Sequence, residues 1–242
     1  MTNVTLPVGI TSLGGRCFYN CSSISGISLP EGITSLGIGC FRGCSSLTSI
    51  DLSAITSLGT LVLADCSNLK NVKLPSGITS LGEGFFEGCS SLENIDLPSG
   101  ITSLGKGCFD GCSSLASIDL PSGITSLGEG CFYGCTGLAS VYMYAEHLPT
   151  MLGYNVFGGC DADNCILYVP KGTMDMYRQS SAFGYFKNIV ELDATDINNP
   201  ATSTNLKEVY RYTTNGRRIL TPTKGINVVK YNNGSVKKVF VK

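Results

Sequence analysis

The chain has no tryptophan and a single histidine, His147, and only 14% of its 242 residues are charged. Proton transfer, nucleophilic attack or metal chemistry needs such groups gathered in one constellation, and the carboxylates here are scattered along the sequence. His147, in AEHLPT, stands in an irregular stretch and reads as a surface-loop residue, so no enzymatic activity and no cofactor are expected. Nothing approaches the 18 uninterrupted apolar residues that mark a membrane helix. The opening MTNVTLPVGI lacks the basic region and apolar stretch of a signal peptide. Glycine (30 residues), serine and threonine take the place of charge, giving a surface built for turns and hydrogen bonds.

What the sequence does contain is a repeat. Nearly the same words begin at Leu6, Leu29, Leu52, Leu74, Leu97 and Leu120, in steps of 22 or 23 residues, and a fixed period in that range means a solenoid. In LENIDLP, the apolar Leu92, Ile95 and Leu97 set against Asn94 and Asp96 predict a strand with one buried face. Pro98 and Gly100 turn the chain, and Ile101 and Leu104 bracket Thr102 and Ser103 in a second short extended piece. GKGCFDGC then directs Cys108, Phe109 and Cys112 inward from about one helical turn. The predicted fold is a right-handed leucine-rich-repeat coil of about seven such units, each too small to bury its own apolar edge. The first coil opens without a polar cap, so further sequence upstream is expected, and an open end favours end-to-end association of two chains.

Within the helical turn, the position before the second cysteine is Asn20, Gly43, Asp65, Gly88, Gly111, Gly134 and Gly159 in successive coils. These residue types tolerate a left-handed backbone and end helical turns, so positive φ is expected there. The twelve cysteines invite a metal or disulfide reading through the CxxxC pairs 17/21, 40/44, 108/112 and 131/135. Val62, Phe85 and Val156 occupy the first slot in other coils, and a ligand could not be exchanged for phenylalanine. The cysteines are therefore assigned to the core as small hydrophobes, with no metal. Cys165, outside the columns, packs beside Ile166 in this reading.

The repeat loosens after Leu138, with extra residues near positions 146–152. A last strand from Cys165 to Val169, a short helix capped by Thr173 and a closing strand from Asn188 to Leu192 would form a terminal cap. Met174, Tyr177, Phe183 and Phe186 are its expected lid. The solenoid with its cap thus spans residues 1–192, the polar DATDINNPATST of 193–204 is a linker, and 205–242 form a separate module. That module holds nine lysines and arginines against Glu208, a net +8, which leaves −9 on the rest of a chain of net charge −1. Asn215-Gly216 and Asn233-Gly234 between alternating segments predict three or four antiparallel strands.

The L..I.LP.GITSLG.GCF.GC unit, closing in LYVPKGTMDMYRQSSAFGYFKNIVEL, resembles the BspA-type leucine-rich-repeat surface proteins of anaerobic gut and oral bacteria. The likeness covers residues 1–192, with Cys in a slot where that family usually has Ala before the Phe. The TNGRR…KGI…VKKV.VK tail is similar to short C-terminal modules that act as sorting signals in some secreted bacterial proteins. The resemblance implies an exported cell-surface protein that binds other molecules, with host extracellular-matrix protein or glycoprotein as partner, and it carries over no binding residues. From the repeat itself, two surfaces are candidates. One is the variable strand column with its flanks, from which Asp51, Lys73, Asn94, Asp96, Asp119, Tyr142 and Tyr144 are the predicted binding residues. The other is the Thr-Ser band from Thr11 and Ser12 to Thr125 and Ser126, which is uniform enough to be structural, through cross-strand hydroxyl contacts. Glycan capture by Tyr142 and Tyr144, and a plain spacer role, are the alternatives. Nucleic acid would rest on the basic tail alone and is not expected as a partner.

Overall fold

The computed structural model describes residues 2–192 together with 208–213, 218–219, 225–231 and 236–241. The chain divides into two compact units, Met1–Asp193 and Ala194–Lys242. The first is a parallel β-solenoid whose coils follow the 23-residue period. Its longer strands are Thr2–Val4, Ile24–Ile27, Ser49–Asp51, Asn71–Lys73, Ser117–Leu120, Ser140–Met143, Ile166–Pro170 and Asn188–Leu192. Ile118, Val141, Leu167 and Ile189 lie in register and face the core. A second column of two-residue strands stacks Ser12–Leu13, Ser35–Leu36 and Ser57–Leu58, then Ser80–Leu81, Ser103–Leu104, Ser126–Leu127 and Met151–Leu152. The expected strand at LENIDLP does not form: residues 93–97 carry no strand ladder, and the long column is interrupted between Asn71–Lys73 and Ser117–Leu120, as it also is between Ile24–Ile27 and Ser49–Asp51. The alternation is still visible there, with Ile95 buried and Asn94 and Asp96 exposed. What is missing is a strand ladder to the coil on either side.

The third side of each coil is not a helix but a run of tight turns that shares its hydrogen bonds between two directions. Cys108, Asp110 and Cys112 donate within their own coil, to the carbonyls of Gly105, Gly107 and Phe109 at 3.3, 3.0 and 3.1 Å. The residues between them, Gly107, Phe109 and Gly111, donate to Glu129, Cys131 and Tyr133 of the next coil at 2.9, 2.8 and 2.8 Å. Aiming alternate N–H groups along the stack requires a left-handed residue every fourth position. The expected column has it throughout, with φ between 56° at Asn20 and 76° at Gly159. A second left-handed column lies four residues earlier, at Arg16, Gly39, Leu61, Gly84, Gly107, Gly130 and Asn155. Leu61 and Arg16 disguise it in the sequence.

The coils meet most closely at the glycine that ends GITSLG. A Cβ on Gly105 would lie 2.6 Å from the backbone nitrogen of Glu83, and Gly37, Gly59, Gly128 and Gly153 are as tightly placed against backbone. Inside, phenylalanines form a ladder: Phe18–Phe41, Phe86–Phe109, Phe109–Phe132 and Phe132–Phe157 stack with centroids 5.1 to 5.3 Å apart, at the separation where offset stacking adds to area burial. The cysteines are all free and line the same core, except Cys17 of the first coil, which is exposed against expectation; all of those from Cys40 to Cys135 are buried. The second-slot cysteine also donates its S–H to a carbonyl of the preceding coil: Cys44 to Phe18, Cys66 to Phe41, Cys89 to Leu63, Cys112 to Phe86, Cys135 to Phe109 and Cys160 to Phe132, at 3.1 to 3.2 Å. Burial pushes these thiols far from ionisation, Cys44 to about 11 and Cys112 to about 12. The Thr-Ser band is also structural, but its hydroxyls bond to backbone rather than to each other: Thr56, Thr102 and Thr125 donate to the carbonyls of Thr34, Thr79 and Thr102 at 3.1 to 3.2 Å.

The far end is covered by Met174–Arg178, a short helix, and the segment behind it. Tyr177, Phe183 and Phe186 are buried, and Phe183 and Phe186 pack on Phe157 at 5.6 and 5.3 Å. Thr173 does not cap the helix as expected: its hydroxyl donates to the Pro170 carbonyl at 2.7 Å. The carboxylate of Glu191 instead accepts from the N–H groups of Gly172 and Met174, at 2.8 and 3.4 Å. Tyr177 donates its hydroxyl to the Ala145 carbonyl at 2.7 Å, which ties the lid to the irregular stretch around His147. The second unit is an antiparallel sheet of Glu208–Thr213, Arg218–Ile219, Gly225–Tyr231 and Val236–Val241. The Asn-Gly turns themselves lie outside the described residues.

Two glycines separate close approach from backbone sign. Gly111→Ala meets only ordinary contacts and should cost about 1 kcal/mol for its left-handed φ. Gly105→Ala must displace backbone and should cost more, on the order of 3 kcal/mol. Urea midpoints of the two variants check this order. The thiols supply a second test: DTNB near pH 8 should label the exposed Cys17 first and the partly exposed Cys21 and Cys160 more slowly, and reach the buried cysteines only after unfolding.

Candidate binding surface

The strand column turns alternate side chains outward, two in coils such as Ser49 and Asp51 or Asn71 and Lys73, and register decides which of these meet. Asp51 lies opposite Lys73, and Lys73 Nζ reaches the Asp51 carboxylate at 3.3 Å. Both are exposed, so the pair contributes little to stability. Asp51 also accepts from the Ser53 N–H at 2.8 Å, and the side chain and backbone of Ser53, with smaller help from Lys73, hold its carboxyl below the usual range. Asp51, Lys73, Asn94 and Asp96 line one concavity of about 840 Å3, shared with Asn71 and Glu93. It sits where the strand ladder is open at 93–97. Its rim also includes Ser53, Ala54 and Ile55, the LSAI turn that stands where other coils have LPSGI or its like, one residue longer. The short step from Leu52 to Leu74 and the opened ladder therefore fall at the same place.

Asp119, Tyr142 and Tyr144 lie farther along the column and do not line that concavity. Asp119 faces Tyr142, which faces Tyr168. Tyr142 and Tyr168 stack with centroids 4.5 Å apart and planes within 4°, and Tyr144 joins them at 6.4 Å from Tyr142. Tyr168 was not among the sequence-selected residues, although its place in ILYVP, one period after VYMY, could have indicated it. Asp119 keeps exposed surface, yet protein surrounds enough of it that desolvation, and then the neighbouring Asp96, push its carboxyl up to about 6. Burial, followed by Tyr168 and Asp119, raises the Tyr142 hydroxyl well above its ordinary value. His147 is exposed. Among the described residues, no three His, Cys, Asp or Glu side chains gather as a metal site, and no helix is long and apolar enough to cross a membrane.

A parallel solenoid of this period, with one ridge-like strand face and one side of tight turns, defines a leucine-rich-repeat architecture. The family model for the BspA type leucine rich repeat region, in six copies, matches residues 1–67 and 56–190. The chain belongs to that family. A leucine-rich repeat protein from Bacteroides ovatus shares the fold at 22% identity and a TM-score of 0.52, over 77% of this chain and 54% of that one. A leucine rich repeat protein of T. pallidum is 25% identical over 75% of this chain and 79% of its own, with a TM-score of 0.46. A leucine rich cell surface protein from Faecalibacterium prausnitzii is 24% identical over 59% of this chain, with a TM-score of 0.47, and the match spans 46% of that protein. No curated protein matches the sequence.

The raised carboxyl of Asp119 has a signed consequence. Between the ordinary aspartate range near 3.9 and about 6, the folded chain holds a proton that the unfolded chain has released. Stability attributable to this group therefore falls as pH rises through that window. Asp119→Asn should raise the thermal midpoint near pH 7.5 and change it far less near pH 4; equal shifts at both values would contradict the assignment.

Proposed function

We propose that this chain is a non-enzymatic binding protein of the bacterial cell surface, exported, that recognises a host extracellular-matrix protein or glycoprotein through the strand face of its solenoid. The observation that carries the reading is the concavity around Asp51, Lys73, Asn94 and Asp96. Four of the variable outward-facing residues of the strand column are drawn together there, beside the one shortened turn. Charged and amide groups in a shallow, open face suit a polypeptide surface, whose backbone and side chains offer both donors and acceptors. Membership of a family of bacterial surface repeats supports the location. Glycan capture by Tyr142 and Tyr144 has less support, because Tyr168 covers one face of the Tyr142 ring.

The test is a solid-phase and biolayer binding screen of the purified chain against immobilised matrix proteins and mucin, at low and physiological salt. Saturable binding to at least one matrix protein is expected. Asp96→Lys combined with Asp119→Lys should weaken it by about tenfold or more, while removal of residues 205–242 should leave it intact. Binding that disappears with the tail or with salt would contradict recognition by the solenoid.

A further inference from the structure

The turn side of the solenoid carries a second groove, separate from the strand face. It has a volume of about 250 Å3 and lies across three consecutive coils, between Lys106, Asp110, Glu129, Tyr133, Tyr154 and Asn155. Two tyrosines stand exposed in it, Tyr133 by 48% and Tyr154 by 77%. Tyr154 is the most exposed aromatic ring among the described residues, and the two rings share one groove. Tyr133 does not wave freely. Its ring lies across Gly158 so closely that a Cβ there would come within 2.8 Å of Cδ2 and 3.0 Å of Cε2, so the absence of a side chain at 158 gives the ring its seat. The floor is backbone, at the left-handed Gly107 and Gly130.

The polar groups of the groove have unequal commitments. Lys106 and Glu129 bind each other across neighbouring coils at 3.3 Å. The carboxylate of Asp110, half-buried, makes no hydrogen bond or ion pair among the described residues, and desolvation raises it above the usual range. A carboxylate partly stripped of water and without a donor is best satisfied by hydroxyl donors brought by a ligand. A ring face for stacking, a carboxylate acceptor for hydroxyls and the Asn155 amide together form the chemistry that recognises a sugar. An anionic ligand is disfavoured, since Lys106 is already paired and the groove is left with the charge of Asp110. The volume lies below the ~300 Å3 at which pockets for whole small molecules begin, so the fit is to one unit of a longer chain that continues past the groove.

We propose that this groove is a binding subsite for a neutral saccharide, held by Tyr133 and Tyr154 as stacking faces and by Asp110 as hydroxyl acceptor. It stands independently of recognition by the strand face. Isothermal titration of the full chain with cello-, malto-, xylo-, manno- and N-acetylchito-hexaose, and with heparin as anionic comparator, tests it. At least one neutral oligosaccharide should bind saturably. Tyr133→Ala and Tyr154→Ala should each weaken that binding by about tenfold, and Asp110→Asn should weaken it as well. Tyr19→Ala, at the equivalent position of the first coil, should leave it unchanged. Thermal midpoints of all four variants establish that they fold. The proposal is overturned if no neutral probe binds, if heparin alone binds, or if the Tyr133 and Tyr154 variants bind as the parent does.

Discussion

The whole solenoid depends on how closely one coil can lie on the next. At Gly105 the backbone of Glu83 leaves no room for a methyl group, and that approach sets the distance at which the other two sides of the coil must stack. Once it is fixed, the short Ser-Leu strands pair in register, alternate N–H groups of the turn side reach the next coil, and phenylalanine rings fall at stacking distance. None of these contacts is available to an isolated coil. Cooperation between neighbours therefore supplies the stability, as expected for a quasi-one-dimensional stack.

The cysteines show how a repeat position can be chosen by more than volume. The first slot accepts Cys, Val or Phe and is simply apolar. The second slot is Cys in every coil from Cys21 to Cys160, and from Cys44 onward its sulfur sits against a carbonyl of the coil before. Valine would fill the same space and leave that carbonyl with one partner fewer. A thiol is small, apolar enough for the core and still a weak donor, which fits both demands.

Much of this was legible in the sequence because a repeat samples its own tolerances. The substitution of Asn20 and Asp65 among glycines identified a left-handed position, and the exchange of Cys for Phe85 identified a core slot. The earlier left-handed column was hidden because Leu61 and Arg16 occupy it against their usual preference. Thr173 has the chemistry of a helix cap, but Glu191, brought alongside by the pairing of the last two strands, does the capping. Nor does the alternation of LENIDLP reveal that its backbone would be left without a ladder. Pattern reports which face is buried, whereas pairing depends on the backbone of the neighbouring coils. For the candidate site, the column of variable residues could be read from the repeat, and the spacing of Tyr168 from VYMY was there to extend it; the division into a concavity and a tyrosine stack could not be read.

The functional account rests on variable charged and amide side chains gathered in one concavity of the strand face. Hydrogen exchange followed by mass spectrometry, with and without a saturating amount of a matrix protein that binds the chain, addresses this directly. The account predicts added protection in peptides covering residues 49–55, 70–73 and 93–97. Protection confined to the strands between residues 208 and 241, with the solenoid unchanged, would contradict it.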